Sequence, residues 1–101
     1  CGGCSAAATS DGRIHVTGGE DAARTYGDHF VFDPATERWS RAADLPTPRH
    51  GIGTATIGGR FFVIGGGRDR GLSVSDVVEV WSPPPPADPC PCRLALPWTS
   101  A

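Results

Sequence analysis

Lysine, asparagine, glutamine and methionine are absent from this chain of 101 residues, and all nine basic residues are arginine. So broad a gap looks more like a GC-rich coding bias than a functional choice, and no mechanism is read from it. Charge of one sign is lacking too: nine basic residues face eleven acidic ones, for a formal net charge of -2. That near-balance makes no field strong enough to hold nucleic acid or an anionic membrane, so neither is expected as a partner. No apolar run approaches the roughly 18 residues that span a bilayer. No charged start leads into an apolar stretch, as a secretory signal would. The chain reads as soluble. It opens on Cys1 rather than methionine, which reads as a processed or truncated start and leaves the compartment open.

Cysteine is missing from the whole middle of the chain: Cys1 and Cys4 stand at one end, Cys90 and Cys92 at the other. Zinc needs four deprotonated ligands converging tetrahedrally, and here a C-x-x-C half is matched only by C-P-C across a very long gap. Neither metal nor cofactor is therefore expected. A disulfide joining the ends and free thiols are the remaining readings, free thiols being the simplest. Catalytic sets are lacking as well. His15, His29 and His50 fall in separate segments, no Gly-x-Ser-x-Gly elbow occurs, and no cysteine lies near a histidine. His15 reads as a tolerated strand residue. Gly65-Gly-Gly67 is not followed by Lys-Ser or Lys-Thr and opens no helix, so it reads as a turn rather than a phosphate loop. No residue is assigned to catalysis.

Glycine and proline are plentiful, at 14 and 10 residues, and favour turns over helices. They punctuate a repeat. Asp11-Gly-Arg-Ile-His-Val-Thr-Gly-Gly19 recurs 47 residues on as Gly58-Gly-Arg-Phe-Phe-Val-Ile-Gly-Gly66. Ala6-Ala-Ala-Thr9 matches Gly53-Thr-Ala-Thr56 at the same offset, and Phe30-Val-Phe-Asp-Pro34 matches Glu79-Val-Trp-Ser-Pro83 at 49. Within each unit, Ile14-His-Val-Thr17 and Phe61-Phe-Val-Ile64 are short, β-branched or aromatic, and bounded by glycine, which makes them strands. Asp11-Gly12 and Gly58-Gly59 each predict a two-residue hairpin turn. Phe30 to Asp33 is a third strand, Asp33-Pro34-Ala-Thr36 a turn, and a fourth short strand runs around Arg38 to Arg41.

Four antiparallel strands repeated at 47 to 49 residues match a propeller blade at the roughly 50-residue kelch period. In sequence the chain resembles the kelch family: it carries the glycine doublet Gly18-Gly19, the turn Phe32-Asp33-Pro34, Trp39 seven positions after Phe32, and Leu45-Pro-Thr-Pro-Arg49. The resemblance implies an all-β fold of antiparallel four-stranded blades, here an incomplete propeller. Independently of the family, the doublet permits backbone that a Cβ would forbid and a close approach of neighbouring chain. Trp39 and Phe32 suit the space between adjacent sheets.

The pattern places a ragged N-terminus at residues 1–4, a first blade at 5–50, a partial second blade at 51–83 and a proline-rich tail at 84–101. Cys1-Gly-Gly-Cys4 stands where Pro48-Arg-His-Gly51 stands one repeat later, so the chain is expected to start partway into a blade. After Trp81-Ser82-Pro83 the family pattern calls for tryptophan at position 88, but aspartate stands there, amid prolines that remove amide donors and favour polyproline II. The tail is therefore expected to be disordered and to contribute no strand. A linker, an SH3-like or WW-like ligand, and a non-native end are the readings left open for it. So few blades leave unpaired edges and an uncovered sheet face, and the chain is expected to self-associate through them.

In a four-stranded meander the second-to-third loop and the connection to the next blade emerge at one end. Glu20, Asp21, Arg24 and Tyr26 fall there in the first repeat, Arg68, Asp69 and Arg70 in the second, and Arg49 and His50 between them. Arginine and tyrosine join apolar area to directional donors, so Arg24, Tyr26, Arg49, His50, Arg68 and Arg70 are the candidate partner-binding residues, for a protein or acidic peptide. The alternative is that these are solvated loop charges with a structural Arg49. At the level of the family, the resemblance implies an interaction module without catalytic activity of its own. It also admits a fragment of a propeller enzyme acting on sugars, galactose oxidase-like or epimerase-like. Tyr26 is the single tyrosine and the repeats hold no cysteine, so this stretch lacks the parts of a copper-radical site.

Overall fold

The computed structural model of the chain describes residues 2–83 and 97–101. Alternating small, β-branched and aromatic residues form eight strands: β1 (Gly2–Ala8), β2 (Ile14–Glu20), β3 (His29–Asp33), β4 (Arg38–Arg41), β5 (Gly53–Ile57), β6 (Arg60–Ile64), β7 (Val78–Trp81) and β8 (Trp98–Ser100). They make two antiparallel meanders, β1-β2-β3-β4 and β5-β6-β7-β8, as the all-β blade pattern predicts.

The two first hairpins differ. In the second sheet Gly58 and Gly59, at φ 59° and 77°, form the expected two-residue turn, with Ile57 opposite Arg60. In the first sheet the connection is longer. The Gly12 amide donates to the Thr9 carbonyl at 3.0 Å, only Gly12 is left-handed, and five residues (9–13) separate the paired Ala8 and Ile14 where a two-residue turn was expected. Asp11 sets this difference by accepting from the Thr9 hydroxyl and, at 3.1 Å, from the Arg13 amide.

Three tail and terminal expectations are corrected. Gly2 to Cys4 are not a ragged end: they lie within β1, where Gly2 faces Glu20 and Cys4 faces Gly18. Cys4 is disulfide-bonded, so the free-thiol reading fails for it. Trp98 to Ser100 supply the outer strand the sequence pattern denied to the second sheet, with Trp81 opposite Trp98 and Val80 opposite Thr99. The tryptophan due at 88 thus stands at 98. The disorder expected for the tail falls, at 84–96, outside the described residues.

The sheets pack face to face. β2 and β3 turn His15, Thr17, His29 and Val31 toward the second sheet, where Phe61, Val63, Glu79 and Trp81 meet them, all buried. Leu45, Ile52, Phe61, Val63, Trp81 and Trp98 form the apolar centre of this seam. At 25–30 cal/mol per Å², aromatic burial on this scale is its main stabilising contribution. Near the inner edge, β1 and β5 touch through the Ser5 and Thr54 hydroxyls at 2.9 Å. The glycine doublets let the connecting segment pass close: Gly18 and Gly66 leave room in which a Cβ would stand 2.6 Å from the Arg49 oxygen and 2.5 Å from the His50 oxygen.

Candidate functional site

Because the strands are antiparallel, the β2–β3 loop (21–28), the β6–β7 loop (65–77) and the β4–β5 connection (42–52) emerge together at one end. The first loop is held by Asp21. Its carboxylate accepts the Ala23 and Arg24 amides at 2.7 and 3.0 Å and the Tyr26 hydroxyl. Those hydrogen bonds, the tyrosine's first, hold the Asp21 pKa below its ordinary value. With Tyr26 so anchored and its amide bonded to the Gly19 carbonyl at 2.7 Å, the Arg24 guanidinium lies over the ring, 4.5 Å from its centroid.

The second loop is tied to the first. Arg70 donates to the Ala22 carbonyl at 2.6 Å, and the Gly71 amide donates to the Glu20 carboxylate at 2.9 Å. His50 Nε2 donates to the Asp69 carbonyl at 2.7 Å and lies 3.3 Å from Glu20. Arg68 stands exposed beside this junction, with no side-chain hydrogen bond among the described residues. The geometry thus brings Arg24, Tyr26, His50, Arg68 and Arg70 to one end of the seam. Of the five, Tyr26 and His50 are half-buried and the arginines exposed.

Arg49 does not belong with them. It is 0% exposed, and its guanidinium donates to the carbonyls of Gly65 at 2.7 Å and Val77 at 2.9 Å and to Glu79 at 2.9 Å. Glu79 in turn accepts from the Thr47 amide and hydroxyl. Hence Arg49 cannot present itself to a partner. Its donors instead satisfy the Gly65 and Val77 carbonyls at the two ends of the β6–β7 loop, the Thr47 carbonyl and the Glu79 carboxylate. The assignment of Arg49 to a binding surface is corrected on this ground.

Sequence reading passed over Leu72 and Val74, which stand 107% and 91% exposed on the tip of the second loop. Their signal was the alternation Leu72-Ser73-Val74, which reads as a short strand until the preceding glycines fix the segment as a loop. Among the described residues no group of three histidine, cysteine or acidic side chains is arranged to hold a metal ion.

Comparison with known proteins gives a consistent result. The Kelch motif matches residues 1–46 and again 48–84. Kelch-like protein terF of Aspergillus terreus is 34% identical over 85 residues, covering 80% of this chain and 18% of that protein. Kelch-like protein 35 of Mus musculus is 32% identical over 74 residues, 73% of this chain and 12% of its own length. Acyl-CoA-binding domain-containing protein 4 of Arabidopsis thaliana is 39% identical over 66 residues, 62% of this chain and 10% of that protein. The chain therefore spans less than a fifth of each of these relatives.

Proposed function

Since the chain belongs to the kelch-repeat family, we propose that it is part of a protein-interaction module whose loop end binds an acidic, partly apolar segment of another protein. The observation that carries the reading is the Arg24–Tyr26 stack, fixed in place by Asp21 and continuous with exposed Arg68 and Arg70. A guanidinium already ordered over a ring loses less conformational freedom on binding a carboxylate than a free one. Leu72 and Val74 beside it offer apolar anchors. The kelch-like relatives support a protein partner, and nothing in the names of the relatives described above points to an oxidase or epimerase of sugars.

A fluorescent glutamate-rich peptide with one central leucine tests the reading directly. The expected result is saturable binding that weakens with salt and falls about tenfold in Arg24→Ala and in Arg68→Ala, roughly 1.4 kcal/mol each. Binding unchanged by both substitutions, or absent at low salt, would overturn it.

Self-association through the uncovered outer faces of the two sheets is part of the same proposal. Phe30, Trp39 and Ile64 are exposed there, where further blades of the family's propeller would pack.

A further inference from the structure

Residues 68–74 of the β6–β7 loop read Arg-Asp-Arg-Gly-Leu-Ser-Val. Arginines therefore stand five and three residues before Ser73, and an apolar side chain follows it. No other serine or threonine of the chain has arginine three residues before it. This is the spacing that a basophilic protein kinase reads: carboxylates in its cleft pair with the two guanidinia, and an apolar pocket takes the residue after the acceptor.

The fold leaves this run open to such a cleft. Among the described residues, 68–76 make no main-chain-to-main-chain hydrogen bond, and the loop is held at its base by the pairs Gly67–His50 and Gly65–Val77. Arg68, Arg70, Leu72 and Val74 are all exposed. Ser73 is half-buried and lies over Gly67, where a Cβ would stand 2.6 Å from its Cβ and Oγ. Gly67 is not at positive φ, so its lack of a side chain serves this close approach. The Ser73 hydroxyl accepts from the Asp69 amide at 3.3 Å, a long bond in an exposed setting. Lifting the serine out breaks that bond and no strand pairing. The other ties of the run, to His50, Ala22 and Glu20, are each made through a single side chain.

We propose that Ser73 is the acceptor of a basophilic serine kinase. The Ser73 oxygen attacks the γ-phosphorus of ATP, the bond from that phosphorus to the bridging oxygen breaks to release ADP, and the hydroxyl proton passes to the kinase's catalytic aspartate. The product carries a charge of about -1.5 to -2 between the apolar side chains of Leu72 and Val74. Arg68, with no side-chain hydrogen bond among the described residues, can turn to that phosphate. The consequence for binding rests on the acidic-segment reading of the loop end. A phosphate at Ser73 repels a carboxylate and competes with it for Arg68, so phosphorylation closes the loop end to that partner.

The test incubates the full chain with MgATP and an active kinase of the protein kinase B class, then maps the product by mass spectrometry. One phosphoryl group is expected, on Ser73, with none incorporated in Ser73→Ala and a rate about tenfold lower in Arg68→Ala and in Arg70→Ala. The folded chain should react within about tenfold of the rate of a free peptide of residues 66–76. A slower folded chain means that the fold withholds the hydroxyl and overturns the proposal. So does phosphate elsewhere, no incorporation, or a rate that neither arginine affects. Modification only by an acidophilic kinase, for which Asp76 stands three residues after Ser73, overturns it too. The phosphorylated chain is then expected to bind the glutamate-rich peptide about tenfold more weakly than the unmodified one. Equal binding would overturn the switch. No binding by the unmodified chain falls on the acidic-segment reading alone, and the mass spectrum still decides the site.

Discussion

A guanidinium held out of water needs its donors engaged, and Arg49 meets that demand with the carbonyls of Thr47, Gly65 and Val77 and the carboxylate of Glu79. Removing one partner of such a pair leaves an uncompensated buried charge. Glu79→Ala is therefore expected to lower stability by about 3–5 kcal/mol in urea unfolding. Arg49→Lys should be nearly as damaging, because an ammonium cannot reach all these acceptors at once. The histidine pair makes a second residue-scale prediction. Burial is the largest cause holding His15 near a pKa of about 4 and His29 below its ordinary value. A histidine whose folded pKa is depressed binds fewer protons folded than unfolded, so its stability is complete above about pH 6.5 and declines as pH falls toward 4. Thermal unfolding should show a loss of about 3 kcal/mol from His15 across that range, already visible between pH 6.5 and 5, where carboxylates stay ionised. A melting temperature flat over that interval would contradict it. Sequence alone named Arg49 and His15 but could not say which way either faced. Burial of a charged residue depends on partners 14 to 30 positions away, beyond any local pattern.

Strands and turns were the most legible level, because a two-residue period and glycine punctuation are local signals. Equivalent glycines nevertheless differ in role. Gly66 is at φ 78° with a would-be Cβ 2.5 Å from the His50 oxygen, whereas Gly12, at φ 86°, has nothing within 4 Å. Gly12→Ala should cost only the left-handed penalty of about 1–2 kcal/mol; Gly66→Ala must also displace main chain and should cost clearly more in the same unfolding assay. The outer strands give a parallel contrast. Trp98 is buried, donates to the Ala43 carbonyl at 2.8 Å and meets the His29 ring at 5.3 Å, while Trp39 is 61% exposed. Trp98→Ala is expected to lose about 3–5 kcal/mol and Trp39→Ala under about 1 kcal/mol. Strand β8 was illegible because prolines were read as ending a sheet, when pairing is decided by where the chain returns and not by what lies between.

At the scale of the whole molecule, the repeat explains why equivalent tryptophans differ in exposure. Phe61, Val63 and Trp81 bury themselves against the first sheet; their counterparts Ile14, Val16 and Phe32 point the opposite way from that seam, with Phe30 and Trp39 beside them. Because the two outer faces are different surfaces, the self-association proposed above would be head-to-tail. Sedimentation velocity at tens of micromolar should show species larger than a monomer, and Trp39→Ser should shift them toward monomer. A wild-type chain that stays monomeric would count against the idea. The connection between the sheets has one more effect. The Arg49 carbonyl accepts the Gly19 amide at 2.9 Å while its side chain holds carbonyls of the second sheet. One residue thus ties the edge of one repeat to the centre of the next, a nearest-neighbour coupling term in a repeat array. Amide exchange at Gly19 would then report openings of the second sheet, and the two repeats would lose protection together rather than in sequence.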